Sequence, residues 1–205
     1  MEGPLFTSFE EAWAEFLVRD EPLEDFVAEF PEDEEYLTVW HAPPGPAAKE
    51  EAAVVQRALD GLEGLRLTPP HWLHVSLGLG REDDLERVRD RLRGAVAFEA
   101  EYGPATCFHE AIVLEVRGET FAELARAVEP DRDLAIFLPH VSIAYTDGTP
   151  SPGPIRDRLL PLRDRPPVRE RVSEIELCVV PIARDALLSP WRTLRAVSLG
   201  DTTSV

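Results

Sequence analysis

The chain has 205 residues, of which 44% are hydrophobic and 29% are charged, a composition typical of a folded globular domain. Asp and Glu number 39 against 21 Lys and Arg, so the formal net charge is −18. Duplex nucleic acid is held mainly by neutralisation of its phosphates, so this charge argues against duplex binding. No apolar run is as long as a membrane span, and we expect no membrane association.

The first 35 residues combine a predicted helix with a strongly acidic run. Residues 8–19 predict a helix whose N-cap is Ser8, with Glu11 three residues later as the second member of a capping box. The charges of residues 20–35 predict a solvated helix and loop. We therefore expect residues 1–34 to form an acidic helical N-terminal extension.

Beyond that region, strand-forming and helix-forming runs alternate. The predicted strands lie at 36–41, 71–80, 95–103, 105–118, 137–145, 174–184 and 191–200. The predicted helices lie at 46–60, 81–93, 119–128 and 154–160. Several neighbouring strands leave no room for a crossover helix, so the order predicts an α+β fold with mainly antiparallel pairs. A weak internal repeat, in which each half has a short strand, a helix and two more strands, predicts a single domain of two similar lobes. Its core would be residues 35–199, with a tail at 200–205.

One tetrapeptide pattern, His-Val-Ser-aliphatic, occurs twice, at 74–77 and 140–143. The chance of such a match at one histidine is on the order of one in a thousand from ordinary residue frequencies. Because side chains alternate along a strand, each His shares a face with its Ser while the Val and the aliphatic residue point to the core. Small residues follow on the expected open face and would leave space beside the imidazoles: Gly78, Gly80, Ala144 and Thr146.

Two imidazoles facing one cavity can perform acid–base chemistry. Histidine titrates near neutral pH, so a neutral His74 or His140 can accept a proton while the other donates one to a leaving oxygen. The hydroxyls of Ser76 and Ser142 can bind the non-bridging oxygens of a phosphate. This arrangement requires no metal and no cofactor, and we expect neither. The alternative is structural, because half-buried strands ordinarily carry polar residues on their outer face.

These motifs resemble the 2H phosphoesterases, which include the 2′-5′ RNA ligase-like proteins and cyclic nucleotide phosphodiesterases. The resemblance implies two pseudo-symmetric lobes around a central cleft, with helices outside. It also implies catalytic His74 and His140, with Ser76 and Ser142 binding phosphate. The commoner RNA-acting bacterial members have Thr in the motifs and an Arg where this chain has Tyr145. The resemblance therefore implies a 2′,3′-cyclic phosphate of a small nucleotide or a short RNA end as substrate.

Other residues leave alternatives open. His41 ends the first strand, which favours a surface histidine near a turn over a substrate contact. In a straight strand, Tyr145 would lie on the same face as the core residues of its strand and would be buried. A bulge would instead turn it into the cleft, where it could stack on a base. A phosphate-neutralising arginine cannot be chosen among Arg66, Arg81 and Arg132. His71 lacks partners at zinc spacing, and His109 is interpreted as structural.

Two other classes of function remain possible. The chain could be a catalytically silent module that binds a nucleotide or an RNA end, or an interaction protein that recruits a basic partner through its acidic N-terminal region. Residues 1–16 lack the basic and apolar regions of a signal peptide, and Cys107 and Cys178 form no CxxC motif. We therefore expect a reduced, cytoplasmic and monomeric protein.

Overall fold

The computed structural model describes residues 6–28, 30–31, 35–183 and 188–200. Five α-helices lie among them, α1 (Phe9–Val18), α2 (Pro46–Leu59), α3 (Leu85–Arg91), α4 (Thr120–Val128) and α5 (Pro152–Leu159). The first five strands are β1 (Glu35–Ala42), β2 (Leu65–Leu67), β3 (Val75–Leu79), β4 (Phe98–Cys107) and β5 (Ala111–Arg117). The remaining strands are β6 (His140–Thr146), β7 (Val168–Val172), β8 (Glu174–Ile182) and β9 (Arg192–Ser198).

These strands form one continuous sheet in the order β7-β4-β5-β6-β3-β1-β8-β9, and β2 pairs with β6. All pairings between these strands are antiparallel. We call β3, β1, β8 and β9 the first lobe, and β6, β5, β4 and β7 the second lobe. The lobes join where β3 meets β6, the two strands that carry the tetrapeptides. The α+β fold with two similar, antiparallel lobes is confirmed.

The helices cover one face of the sheet, and the main core lies between them and the strands. Each helix contributes apolar residues at helical spacing, such as Ala48, Ala52, Val55 and Leu59 of α2. The opposite face, here called the cleft face, carries two small apolar clusters instead. One cluster centres on Trp72 in the first lobe, and the other on Tyr145 in the second lobe. No helix within the described ranges is both long enough and apolar enough to cross a membrane.

The N-terminal segment packs into the second lobe, so the expectation of a solvated acidic run is wrong for its apolar residues. Ser8 caps α1 by accepting a hydrogen bond from the Glu11 backbone N–H at 3.0 Å, as predicted. Leu23 is buried between the exposed Glu21 and Glu24, and Val27 is buried four residues later. The backbone N–H of Phe26 donates to the carbonyl of Thr146 in β6 at 3.0 Å. The charge count describes the exposed side of this segment, while its buried apolar residues, Leu23 and Val27, fix it to the fold.

Two strand predictions need correction around β4. The chain does not break at Pro104. Strand β4 runs through it to Cys107, and the turn lies at 108–110. Pairing of β4 with β7 ends at Tyr102, so Pro104 falls where no donor to β7 is needed and where the register with β5 shifts. Strand β7 was not predicted, because three of its five residues are consecutive charged residues. The strand lies at the edge of the sheet and buries little apolar surface.

Candidate active site

The two tetrapeptides meet at the junction of the lobes. Val75 of β3 pairs with Val141 of β6 in antiparallel register. Continuing that register by one residue in each direction places His74 opposite Ser142 and His140 opposite Ser76. Side chains directly opposite one another are roughly 5 Å apart, and diagonal neighbours are about 7–8 Å apart. The fold therefore sets two imidazoles diagonally across a small square with a hydroxyl at each remaining corner.

A β-bulge lies at the last residue of each motif. In the first lobe, His41 pairs with Ser76 and Trp40 pairs with Gly78, so Leu77 is the extra residue. In the second lobe, Val113 pairs with Ser142 and Ile112 with Ala144, so Ile143 is the extra residue. A bulge leaves its extra residue outside the ladder and bends the strand. The matching bulges end the cleft-facing pattern of His and Ser in both strands.

Side-chain donors bind the carbonyls of both bulge residues. The Arg132 guanidinium donates to the Leu77 carbonyl at 3.0 Å. The Gln56 amide of α2 donates to the Ile143 carbonyl at 2.9 Å, and the backbone N–H of Thr68 donates to the same oxygen at 3.0 Å. Buried carbonyls that leave a sheet ladder need such partners, because an unsatisfied one costs about 1–3 kcal/mol. Arg132 and Gln56 therefore support the strand geometry behind the motifs.

The bulges overturn the expectation that small residues leave space beside the imidazoles. A Cβ atom on Gly78 would meet Val128 and Glu129 of the helix layer. A Cβ atom on Gly80 would meet the Trp40 side chain in the main core. Ala144 is part of that core, and the Thr146 hydroxyl donates to the Glu24 carbonyl. The space beside the imidazoles is instead enclosed by larger side chains on the cleft face.

The same change of direction places Tyr145 on the cleft face. Tyr145 pairs with Ala111, and its ring stacks on Phe26 with the centroids 4.0 Å apart. The interpretation of Tyr145 as a main-core residue on a straight strand is therefore wrong, and the bulge that would turn it into the cleft is present. Burial raises the pKa of its phenol, and the nearby Ser142 hydroxyl opposes that shift. Contact between Tyr145 and a substrate stays a prediction.

Both motif histidines are held by the same hydrogen bond. Nδ1 of His74 lies 2.6 Å from the Trp72 carbonyl, and Nδ1 of His140 lies 2.7 Å from the Leu138 carbonyl. A carbonyl only accepts, so each Nδ1 carries the proton and each Nε2 is left as the basic atom of the neutral ring. Nε2 of His74 lies 3.0 Å from the Ser76 hydroxyl, which donates to it.

Burial keeps both imidazoles neutral. It lowers the pKa of His74 to about 4, with a smaller contribution from His140 and an opposing one from the Trp72 carbonyl. Burial also lowers the pKa of His140, and the positive charge of Arg132 adds to the effect. Aromatic rings explain the burial, because Trp191 and Phe108 each contact one imidazole edge-on at about 5 Å. The resting site thus has two neutral bases at pH 7.

A cavity of about 460 Å³ opens on the cleft face beside the four motif residues. Its polar lining residues are His74, Ser76, Glu110, His140 and Ser142. Its apolar and aromatic lining residues are Phe26, Phe30, Pro31, Leu37, Val39, Trp72, Phe108, Ala111, Tyr145, Val180, Ile182 and Trp191. This volume suits a small organic ligand. The structure thus brings together the four predicted motif residues and Tyr145 around one space.

The three candidate arginines do not line this cavity. Arg66 is exposed on β2, and Arg81 is largely exposed beside Asp83. Arg132 donates to the Leu77 carbonyl and forms an ion pair with Glu129 at 3.2 Å. No lysine or arginine within the described parts of the chain contributes to the lining. A bound phosphate would therefore rely on the imidazoles and hydroxyls.

His41 is buried, so its interpretation as a surface histidine is wrong. It faces the cleft side of β1 beneath Trp191, whose ring centroid is 4.9 Å away, and it does not line the cavity. Its Nε2 lies 3.0 Å from Sγ of Cys178 and 3.5 Å from a carboxylate oxygen of Glu176. Burial and the neighbouring His74 lower its pKa to about 3.

His41, Glu176 and Cys178 are the one group of His, Cys, Asp and Glu ligand atoms, within the ranges that the structure describes, close enough to share a metal ion. The donor types would suit zinc. Thr193 donates to the same Glu176 oxygen at 3.2 Å, and burial raises the pKa of the Cys178 thiol to about 11. These contacts form a hydrogen-bonded network that links β1, β8 and β9.

The other two histidines, His71 and His109, do not line the cavity. His71 is exposed in the turn before β3. His109 lies at the β4–β5 turn, where it contacts Arg19 at 2.7 Å and Glu15 at 3.1 Å, in agreement with a structural role.

The aromatic residues that line the cavity were not predicted from the sequence, apart from Tyr145. Trp72 lies two residues before His74, and this spacing could have placed it on the same face. Phe26, Phe108 and Trp191 come from distant segments that only the folded chain brings together.

The sequence matches no protein-family model and no curated protein. Solved structures do match over most of the chain. A phosphoesterase structure aligns with a TM-score of 0.60 and 15% identity, covering 82% of this chain and all of that chain. A Thermus thermophilus protein, TT0787, aligns at 0.58 and 18% identity, covering 81% and 99%. E. coli LigT in complex with NADP+ aligns at 0.58 and 15% identity, covering 88% and 99%. These likenesses confirm the fold that the tetrapeptides implied.

Proposed function

We propose that this chain, which has the fold of LigT and of a phosphoesterase, is a phosphodiesterase that works by paired-histidine acid–base catalysis. Its substrate would be a 2′,3′-cyclic phosphate of a nucleotide or of a short RNA end. The observation that carries the proposal is the pair of imidazoles, each fixed through Nδ1 and each opposite a serine of the other motif. Independent halves of the chain supply the same hydrogen bond and the same bulge.

The reaction would be an in-line displacement at phosphorus. The neutral Nε2 of one histidine takes a proton from water as the water oxygen bonds to phosphorus. The second histidine, protonated, gives its Nε2 proton to the ribose oxygen as the P–O bond breaks, leaving a phosphate monoester. Ser76 and Ser142 donate hydrogen bonds to the non-bridging oxygens, where negative charge accumulates. The roles of the two histidines exchange in the reverse, ligation-type reaction.

Small-nucleotide chemistry has support from the structural neighbours. E. coli LigT, at 15–17% identity, has been crystallised with 3′-AMP, with ATP and with phosphate. For this chain we propose a small nucleotide or a short RNA end as ligand, a monomeric state and a cytoplasmic location. The net charge of −18 supports exclusion of long polyanions.

The test is turnover of the four 2′,3′-cyclic nucleotides in the presence of EDTA, followed by ³¹P NMR. We expect conversion to nucleoside monophosphates at a rate unaffected by the chelator. Ser76→Ala and Ser142→Ala should each slow turnover by roughly 100–1,000-fold, because each removes one donor to the transition state. Nucleotide binding without turnover would contradict the proposal and favour the silent binding module.

The pH dependence follows from the lowered pKa values. The free enzyme must hold one neutral and one protonated imidazole, and both pKa values lie below 6.5. The profile of kcat/KM should therefore be bell-shaped, with its maximum below pH 6.5 and a decline as pH rises. The kcat maximum should lie at higher pH, because the bound anion raises the pKa of both imidazoles. A kcat/KM value that is flat from pH 5 to 9 would contradict two titrating groups.

A further inference from the structure

The walls of the cavity are mostly apolar and aromatic. Of the seventeen described lining residues, twelve are apolar or aromatic and one, Glu110, is a carboxylic acid. A buried anion is tolerated only when it is paired or hydrogen-bonded. The imidazoles and serine hydroxyls of the described lining lie at the motif corner, so a single phosphate group there can be satisfied. Elsewhere on the described walls, a second phosphate would meet aromatic rings and aliphatic side chains.

Aromatic pairs flank the motif residues on both sides. Phe26 stacks on Tyr145 in the second lobe, and Trp72 stacks on Trp191 in the first lobe with the centroids 5.1 Å apart. The polar edge of Trp72 is already used, since its Nε1–H donates to the Ser189 carbonyl at 2.5 Å. These rings therefore offer their faces and edges to a flat or apolar group, and they leave few hydrogen-bonding groups to recognise it.

We propose that the cavity selects phosphodiesters that carry a single negative charge and an uncharged flat group, and rejects substrates with a second phosphate. This inference rests on the proposed function and narrows it. A nucleoside 2′,3′-cyclic phosphate fits the selection, whereas a 5′-phosphorylated nucleotide or an RNA end, with further phosphates along its backbone, does not.

The probe pair is adenosine 2′,3′-cyclic phosphate and the same nucleotide with an added 5′-phosphate. The wild-type protein should turn over the first with a kcat/KM at least 100-fold above that of the second. The ratio should persist in 0.5 M NaCl, because salt screens the distant field of the whole protein far more than contacts within a cavity. Similar kcat/KM values for the two nucleotides would overturn the inference. A ratio that disappears in salt would do so too, because it would assign the discrimination to net charge.

A gain-of-function variant tests whether the cavity wall is what rejects the second phosphate. Leu37 lines the cavity from β1 and is 39% exposed, so Leu37→Arg should fold and place a cation at the wall. It should raise kcat/KM for the 5′-phosphorylated nucleotide at least tenfold. Tyr36→Arg is the matched control, because Tyr36 is exposed on the same strand and is not part of the lining, and it should leave the ratio unchanged. An equal response of both variants would contradict selection at the wall.

Failure of the proposed function is distinguishable from failure of this inference. If neither nucleotide is turned over, catalysis is absent, and calorimetric binding of the same two nucleotides still decides the selectivity. Tight binding of the singly charged nucleotide alone would support the inference. Equal affinity for both nucleotides, or affinity for neither, would contradict it.

Discussion

His74→Ala and His140→Ala are each expected to lower kcat/KM for a 2′,3′-cyclic nucleotide by at least 100-fold. General acid–base catalysis by a positioned side chain contributes about 10²–10⁴-fold, and each substitution removes one of the two groups. KM should change far less than kcat, because the imidazoles act on protons that move in the transition state. Steady-state kinetics on the two single variants measures both effects.

The double variant and a third histidine provide the controls. If the two imidazoles act as a unit, the double variant should be little slower than either single variant, because the loss of one partner already stops concerted proton transfer. His71→Ala should retain full activity, since His71 is exposed outside the cavity. Thermal unfolding of each variant checks that the fold is intact. Activity within tenfold of wild type in a folded His74 or His140 variant would rule out the mechanism.

Glu115→Ala is expected to lower the free energy of unfolding by about 3–5 kcal/mol, the usual cost of breaking a buried ion pair. The Glu115 side chain is fully buried and pairs with Arg163 at 2.5 Å and with Arg117 at 2.9 Å. Arg163 is itself mostly buried, and it also donates to the Ala105 carbonyl at 2.9 Å. The substitution leaves its charge without a counter-ion inside the second lobe. Urea unfolding measures the difference.

The matched control is Glu101→Ala, which removes the partner of Arg169. That pair is 2.7 Å apart but lies at the surface, where an ion pair contributes about 0–1 kcal/mol. Equal destabilisation by both substitutions would show that burial does not decide how much the Glu115 ion pairs contribute to the free energy of unfolding.

The motifs, the element order and the fold class could be predicted from the sequence, because these depend on local residue patterns. Alternation alone correctly placed each His and Ser on one face of its strand. It also placed Leu77 and Ile143 correctly in the core but failed for the residues after them, because a bulge is set by pairing with a neighbouring strand rather than by the strand's own residues. The orientation of Tyr145 depends on that pairing.

His41 and the N-terminal segment were misjudged for a related reason. A histidine before a Pro-rich turn is ordinarily exposed, but β8 brings Cys178 and Glu176 against it and Trp191 covers it. The acidic run around Leu23 gave no sign that its backbone would hydrogen-bond to the second lobe. Burial of both segments is decided by contacts more than 100 residues away in sequence.

The matching bulges and anchored imidazoles give the centre of the molecule an approximate two-fold axis that passes between Val75 and Val141. In a homodimer with such an axis, the two histidines would be the same sequence position in two chains, and any substitution would change acid and base together. A single chain removes that constraint. His74 has acquired His41 and Trp191 as neighbours, while His140 has Phe108 and the charge of Arg132. Broken symmetry of this kind lets one proton donor and one proton acceptor be adjusted separately around a single phosphorus atom.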